Sequence, residues 1–497
     1  MAILAAASLS DGVRHAHAQP NPAATRPFGD NTVRDMARDL AGRPHRAPDD
    51  RLPRGFTDLS YDDYRKLTFD RERALWRGEN LDFRVQLFHR GFLYTRKVEL
   101  FEVVDRQARP VLYDPTPFNL EGRTPPGADF GHAGFRITHP LHQPGVFDEI
   151  CSFLGASYFR AVARDLRYGI SARGLAIRTA DPSGEEFPTF RAFWLQRPHA
   201  GASSVVVHAL LDSPSATASF RFTIRPGERT VFDVQATIFP RVEVASAGIA
   251  PLTSMYFFAP NDRAGVDDYR GAVHDSDGLL LATSRGEQIW RPLHNPQDLQ
   301  VSHFNEVNPR GFGLMQRRRA FTDYNDLEAD YERRPSLWVE PIGDWGPGSI
   351  QLVEIPTGGE IHDNIVAFWR PEQPMRPGEE YNFVYRLHWL PVMAANAELA
   401  QFVDTRIGTG GPRGRLFVLD VAGGTGGQVP AGTLPTLDLR SSAGEITHPV
   451  VQANPHTGGW RVHFQLVPGS ARLAELRAVL TLGDRPITET WLYRWTA

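Results

Sequence analysis

The chain has 497 residues, which is too long for a single hydrophobic core, so two or more domains are expected. Its formal net charge of −4, without a long basic run, argues against non-specific binding to nucleic acid, and no stretch approaches the roughly 20 apolar residues of a membrane-spanning helix. The single cysteine, Cys151, excludes an intramolecular disulfide and lies in an apolar run that favours a buried, unreactive thiol.

The first residues resemble the end of an export signal. Residues 2–7 have the apolar composition of a signal-peptide core, and Ala16-His17-Ala18 resembles a cleavage site. The basic segment that normally precedes such a core is missing. Residues 1–26 are therefore interpreted as a signal-peptide remnant, with a disordered alanine-rich tail as the alternative.

Helical patterns occur only near the start of the chain. Apolar residues spaced by three and four predict helices over 32–40 and 60–76. Short alternating runs between glycine- and proline-rich turns then predict strands. The clearest of these runs lie at 204–210, 220–224, 230–238, 364–369 and 381–389.

A change of composition divides this β-rich chain in two. An alanine-rich stretch at 391–400 and a glycine-rich one at 408–414 are followed by further strand patterns at 416–421, 436–439, 460–466, 476–482 and 488–495. Their spacing is typical of an immunoglobulin-like sandwich. The sequence thus predicts an all-β protein with a large β-sandwich over 27–392, a linker over 393–410 and an immunoglobulin-like domain over 411–497.

The familiar signatures of nucleotide binding, zinc proteases and serine hydrolases do not stand out. Glycine clusters at 408–411 and 423–427 open no predicted helix and are better explained as turns. The 17 histidines include no pair at metal-ligand spacing supported by cysteine. No metal and no cofactor are therefore expected.

Two acidic clusters stand directly before predicted buried strands, at 274–278 and at 360–364. A strand can hold a side chain rigidly where a loop admits a ligand, so such positions favour functional residues. Cleavage of a glycosidic bond commonly uses two carboxyl groups, one as acid and one as base. The simpler alternative is that these aspartates cap turns through the neighbouring backbone.

Aromatic and arginine residues are concentrated in two further phrases, 153–160 and 331–341. Sugars have an apolar face and a rim of hydroxyl groups, which aromatic platforms flanked by charged side chains can bind. The alternative is that these aromatic residues fill the core and the arginines are on the surface.

Together these phrases resemble the periplasmic glucan biosynthesis proteins of types G and D, the family linked to osmoregulated periplasmic glucans. Two of them are Asn308-Pro309-Arg310-Gly311-Phe312-Gly313-Leu314 and Glu489-Thr490-Trp491-Leu492-Tyr493. The phrases in order are 88–91, 153–160, 171–177, 249–255, 274–278, 291–293, 308–314, 334–341, 354–357, 363–369 and 489–493. The resemblance covers nearly the whole chain after the signal segment, and the phrases at 174–177 and 489–493 are nearer to type D.

The resemblance implies a large N-terminal sandwich of the galactose-mutarotase-like type, an immunoglobulin-like C-terminal domain and a periplasmic location. It also implies export by the twin-arginine route, although residues 1–26 contain no twin arginine. The family includes anomer-inverting enzymes that hydrolyse β-1,2-glucan or cyclise it by transglycosylation. Further expectations are a membrane glucan glucosyltransferase as a partner, a homodimer, and no nucleic-acid partner.

The resemblance also assigns site residues. The general acid falls on Asp363 and the base on Asp275, with Asp277 as the fallback for the base. The base is expected to reach the attacking water through a relay, so the usual inverting separation of about 6.5–9.5 Å could be exceeded. The remaining substrate-binding candidates are Tyr158, Arg160, Asp277, Tyr331, Arg334 and Trp338.

The expected mechanism needs two different protonation states. Burial beside Ile365 and Trp369 would keep Asp363 protonated near neutral pH, while Asp275 stays ionised. The sequence does not distinguish hydrolysis from transglycosylation. Two other hypotheses remain open: a non-catalytic glucan-binding scaffold that accompanies the membrane glucosyltransferase, and a binding protein for other β-glucans.

Overall fold

The structure is a computed structural model that describes residues 25–393, 396–411, 414–424 and 433–497. Nearly all of the predicted signal segment and residues 425–427 of the second glycine cluster lie outside these ranges. None of the helices in the described ranges is long and apolar enough to cross a membrane. The predicted all-β class is confirmed, because strands dominate from residue 84 onward.

Helices are few and short. The described residues form three α-helices, α1 (Thr32–Ala41), α2 (Tyr61–Arg65) and α3 (Phe321–Tyr324), and single turns of 3₁₀-helix cover Arg71–Arg73 and Tyr331–Arg333. The first helical prediction is confirmed by α1. The second, over 60–76, is wrong beyond Arg65. The apolar residues 67, 69, 74 and 76 lie in turns or extended segments, and each buries its side chain. Trp76 has a left-handed φ of 69°, which a helix does not allow.

The strands follow one another through the rest of the chain. Their bounds are β1 Arg26–Pro27, β2 Arg84–Phe88, β3 Glu99–Val104, β4 Gln107–Pro110, β5 Gly134–His139, β6 Asp148–Leu154, β7 Tyr158–Ala161, β8 Ser171–Arg173, β9 Ala176–Ile177, β10 Thr189–Gln196, β11 Val205–Asp212, β12 Ala216–Arg225, β13 Thr230–Pro240, β14 Ala247–Ser254, β15 Tyr256–Phe258 and β16 Val273–His274. The second half contains β17 Gly278–Ala282, β18 Gln288–Pro292, β19 Gln300–Val307, β20 Gly311–Met315, β21 Ser336–Ile342, β22 Pro347–Glu354, β23 Ile365–Pro371, β24 Tyr381–Leu390, β25 Gln401–Thr409, β26 Arg415–Ala422, β27 Thr436–Ser441, β28 Glu445–Asn454, β29 Gly459–Val467, β30 Leu473–Leu482, β31 Arg485–Pro486 and β32 Thr490–Thr496.

Two large sheets form the N-terminal sandwich. One is a 16-stranded sheet in the order β1-β4-β3-β10-β11-β12-β13-β24-β21-β20-β17-β18-β32-β30-β27, with β31 paired to β30. The other is a 10-stranded sheet in the order β19-β22-β23-β14-β8-β7-β6-β5-β2, with β9 paired to β14. Aromatic rings join the two layers: Phe153 lies 5.4 Å from Phe222, and Phe159 stacks on Phe232 at 5.8 Å. Fully burying one such side chain contributes about 1.5–3 kcal/mol.

The C-terminal strands build a smaller sandwich that shares a sheet and a core with the first. A four-stranded sheet, β25-β26-β29-β28, packs against β30 and β32 of the large sheet through one hydrophobic cluster. Parallel pairing of β18 with β32 continues the large sheet into this sandwich, and Trp290 and Trp338 from the N-terminal part belong to the same cluster. The predicted linker, 393–410, instead contains β25, the first strand of this sandwich.

Candidate active site

Asp363 lies two residues before the start of β23, in the loop 355–364 that follows β22. The next residue, Asn364, is buried and closes the base of this loop. Its side chain accepts a hydrogen bond from the Tyr256 amide (2.8 Å) and donates one to the Ile355 carbonyl (3.0 Å). These bonds fix the backbone beside Asp363, whose side chain remains 34% exposed.

Asp275 lies between β16 and β17 and is only 7% exposed. Its amide donates to the Met255 carbonyl (2.8 Å), next to the pairing of β15 with β16. The preceding residue, His274, is fully buried and stacks on Tyr256 at 5.5 Å. Burial lowers the pKa of His274 to about 3, so its ring is neutral near pH 7. Backbone pairing and a packed neutral ring thus hold Asp275 in place.

One arginine stands beside each carboxyl group. Arg160 on β7 places Nη2 4.0 Å from Asp363 Oδ2, and Arg334, shortly before β21, places Nη1 3.3 Å from Asp275 Oδ1. The second contact is an ion pair without hydrogen-bond geometry, because Arg334 Nη1 donates to the Tyr168 carbonyl at 2.7 Å. Four predicted residues from four separate parts of the chain are therefore brought together.

The pKa values of both carboxyl groups are raised above that of an ordinary aspartate. Burial is the main cause in each case, since loss of hydration disfavours the charged form. Arg160 and Arg334 oppose this rise at Asp363. At Asp275, Arg334 opposes the rise and the charge of Asp363 adds to it. The two carboxyl groups thus lie within electrostatic range, since the charge of Asp363 acts on Asp275.

These shifts bear differently on the two expected roles. A raised pKa agrees with Asp363 as a proton donor near neutral pH. The raised pKa of Asp275 does not favour an ionised base, so its charged form depends on the contact with Arg334.

Asp275→Asn is expected to raise the free energy of unfolding at pH 7.5, with a gain that shrinks toward pH 4. Because the folded-state pKa of Asp275 is above its unfolded value, the carboxyl stabilises the fold fully only below the unfolded pKa of about 3.9. That contribution is lost as the pH rises through the folded pKa, whereas asparagine cannot ionise. Urea unfolding at several pH values measures the difference, and a variant less stable than the wild type at pH 7.5 would contradict the direction of the shift.

A second polar cluster surrounds Tyr331. Its hydroxyl donates to Glu360 Oε2 (3.0 Å), and Arg270 Nη1 donates to the same oxygen (2.7 Å). Tyr331 is 3% exposed, so its ring face is not available to a ligand. Sequence analysis missed Arg270, which no motif marks. Its part in the cluster can be recognised only from the fold, which places three carboxylate partners around it, Asp268, Asp326 and Glu360.

Tyr158 connects the carboxylates to a neighbouring cavity. It is close enough to Asp363 for that charge to raise the Tyr158 pKa, although burial is the main cause of the rise. It also lines a cavity of about 330 Å³ together with Tyr94, Phe187 and Arg191. The combination of aromatic rings with cationic and hydroxyl groups is suited to sugar binding.

Two predicted substrate-binding residues need correction. Trp338 is 3% exposed and packs in the cluster shared with the C-terminal sandwich, where Gly311 leaves room for its ring. Asp277 is also buried, and its two oxygens accept the amide hydrogens of Arg317 (3.1 Å) and Arg318 (3.3 Å). Both side chains are therefore committed to the interior. The alternation of inward and outward residues on β21 could not be assigned from sequence because that strand is buried over most of its length.

The arrangement as a whole offers a proton donor, a second carboxyl group and two cations beside an aromatic cavity. Such a set can bind a polyhydroxylated chain and move a proton to and from it. In the described ranges, no group of three or more His, Cys, Asp or Glu side chains is arranged to hold a metal ion.

Comparison with known proteins gives a consistent result along almost the whole chain. The family model "Periplasmic glucan biosynthesis protein, MdoG" matches residues 28–495. Glucans biosynthesis protein G of Rhodopseudomonas palustris is 54% identical over 485 residues, covering 96% of each chain. The protein of the same name from Bradyrhizobium diazoefficiens is 53% identical over 100% of this chain and 98% of its own, and that from Vibrio cholerae 50% identical over 95% and 88%. These relatives carry the type G name, and the nearer likeness to type D stays a prediction.

Proposed function

The chain belongs to the periplasmic glucan biosynthesis protein family, and we propose that it is a periplasmic enzyme that cleaves or rearranges β-1,2-glucan. Membership of the family supports a role in glucan biosynthesis. The proposal adds the reaction, the linkage and the residues that carry it.

One observation carries the catalytic part of the proposal. Asp275 and Asp363 lie in the loops that precede β17 and β23, within electrostatic range of each other and each beside an arginine. Surface carboxylates that merely cap turns keep low pKa values, whereas these two have raised ones. Perturbed carboxyl groups beside an aromatic cavity are the usual composition of a glycosidase site.

In the proposed reaction, protonated Asp363 gives its proton to the glycosidic oxygen as the bond from that oxygen to the anomeric carbon breaks. A water molecule attacks the anomeric carbon from the opposite face, and its proton passes through a relay to ionised Asp275. The anomeric configuration is thereby inverted. In transglycosylation, a hydroxyl of a glucan chain takes the place of the water, and its proton follows the same route.

Arg160 and Arg334 have complementary roles in this scheme. Arg334 supports the charged form of Asp275 before the reaction, at 3.3 Å. Arg160, 4.0 Å from Asp363, supports the carboxylate that forms once Asp363 has lost its proton. Neither arginine is close enough to Asp363 to overcome the effect of burial on its pKa.

The proposal is tested by incubating the purified chain with linear β-1,2-glucan, with β-1,3- and β-1,4-glucans in parallel. Shorter linear products indicate hydrolysis and cyclic products indicate transglycosylation, and either supports the proposal. Proton NMR of the first products should show the α-anomer. Binding without products would overturn it in favour of a scaffold that accompanies the membrane glucosyltransferase, and cleavage of only the other linkages would overturn the assigned substrate.

A further inference from the structure

Three consecutive arginines, Arg317, Arg318 and Arg319, follow β20 and lie between the C-terminal sandwich and the candidate active site. The side chains of Arg317 and Arg318 are only 6% and 11% exposed. Burying a charge is costly, and an apolar interface would join two sandwiches at a lower cost. The partners of this arginine triplet therefore indicate what it does.

Arg317 connects to the C-terminal sandwich through Glu489, which is fully buried. Its guanidinium donates to both Glu489 oxygens (2.5 and 2.8 Å) and lies over the ring of Trp290. Glu489 also accepts hydrogen bonds from the Gln288 side chain and the Phe402 amide, at 2.8 Å each. Every contact of this carboxylate thus holds two parts of the chain together.

Arg318 makes the second connection, an ion pair with Asp404 on β25. The backbone amides of Arg317 and Arg318 both donate to the carboxylate of Asp277. The Asp277 amide in turn donates to the Met315 carbonyl (2.8 Å). Asp277, two residues from Asp275, is therefore attached to the triplet by two hydrogen bonds and to the end of β20 by a third.

Arg319 reaches the other side of the site. Its guanidinium donates to the carbonyls of Glu332 (3.0 Å), Arg334 and Pro391. The segment that it holds carries Tyr331 and Arg334, the residue whose guanidinium lies beside Asp275. One triplet thus binds the backbone on both sides of the Asp275–Arg334 ion pair.

We propose that the arginine triplet is a positioning element through which the C-terminal sandwich, by way of Glu489 and Asp404, sets the geometry of Asp275 and Arg334. The catalytic consequence rests on the proposed function. The C-terminal sandwich then acts in the reaction without contacting substrate, because a displacement of about 1 Å at a reacting group can cost about 100-fold in rate.

The test compares Asp404→Asn with Asp420→Asn in the full chain. Asp420 pairs with Asp404 across β25 and β26, is also buried, and binds Arg461 with both oxygens at 2.7 Å, but its bonds do not lead to the triplet. Asp404→Asn removes the carboxylate that Arg318 and Arg406 share, and Asp420→Asn removes the carboxylate that binds Arg461. Asp404→Glu restores the charge and serves as the rescue variant.

In Asp404→Asn, kcat on β-1,2-glucan should fall about tenfold or more while KM stays within about twofold, because binding is kept and geometry is lost. Amide hydrogen exchange in a peptide covering 273–278 should become faster. Asp420→Asn should change neither quantity, and Asp404→Glu should recover most of both.

Two results would overturn the inference. One is unchanged exchange at 273–278 in Asp404→Asn, and the other is an equal effect of Asp420→Asn, which would indicate general loosening of the sandwich. Because the exchange measurement needs no activity, it separates the two proposals. If the wild type cleaves no glucan, faster exchange still supports the positioning role while the proposed function fails.

Discussion

Asp363→Asn is expected to reduce glucan cleavage about 100- to 10,000-fold, which is the usual contribution of a general acid or base. Asparagine has nearly the same shape but no proton to give to the glycosidic oxygen. Glucan binding should be retained, because the variant removes no cation and no aromatic ring. Product formation under saturating glucan measures the first effect, and calorimetric titration with a short β-1,2-glucan measures the second.

The matched control for this change is Asp344→Asn. Asp344 is an exposed carboxylate in the turn before β22, at the opposite end of that strand from the loop 355–364, and it accepts the Gly346 amide at 2.8 Å. The glucan-cleaving activity of Asp344→Asn should equal that of the wild type. Full activity of Asp363→Asn would remove Asp363 from the reaction.

Asp275→Asn is expected to lower kcat by about 100-fold or more, with little change in KM. Asparagine cannot accept the proton that leaves the attacking water. The pH profile should also change. Ionised Asp275 produces the acidic limb of the wild-type profile, and its raised pKa places this limb above the range of an ordinary aspartate. The residual activity of the variant should lack that limb.

A loss of activity in Asp275→Asn must be separated from a loss of structure. The same variant is expected to be more stable than the wild type at neutral pH, since a buried ionisable group has been removed. Higher stability with lower activity is the combination typical of functional residues. An active variant with an unchanged acidic limb would show that Asp275 is not the base.

The strand-rich architecture could be predicted because alternation and turn residues are local signals. Each of the ten strand runs singled out in the sequence overlaps an observed strand. The prediction of a helix over 60–76 was wrong beyond Arg65, because turns bury Leu67, Phe69 and Trp76 one by one without a continuous helix. The predicted linker failed because composition does not show that β25 pairs with β26.

The candidate site was predictable only where a carboxylate stood directly before a strand. That rule marked two acidic clusters, at 274–278 and 360–364, and the family resemblance singled out Asp275 and Asp363 within them. The fold brings these two residues within electrostatic range. Trp338 satisfied an equally reasonable aromatic rule yet is buried. Its burial could not be predicted, because local sequence shows neither which face of β21 it lies on nor that the second sandwich packs against it. Arg270 and the triplet 317–319 acquire their meaning from partners far apart in the chain.

The most direct test of the central claim is a crystal structure of the Asp363→Asn variant with linear β-1,2-glucan bound. We expect one glycosidic oxygen within about 3.2 Å of the residue 363 side chain, and the water or hydroxyl on the far side of that sugar linked to Asp275 by a chain of hydrogen bonds. A glucan chain bound with no linkage oxygen near residue 363, or bound on a different face of the protein, would contradict the assignment.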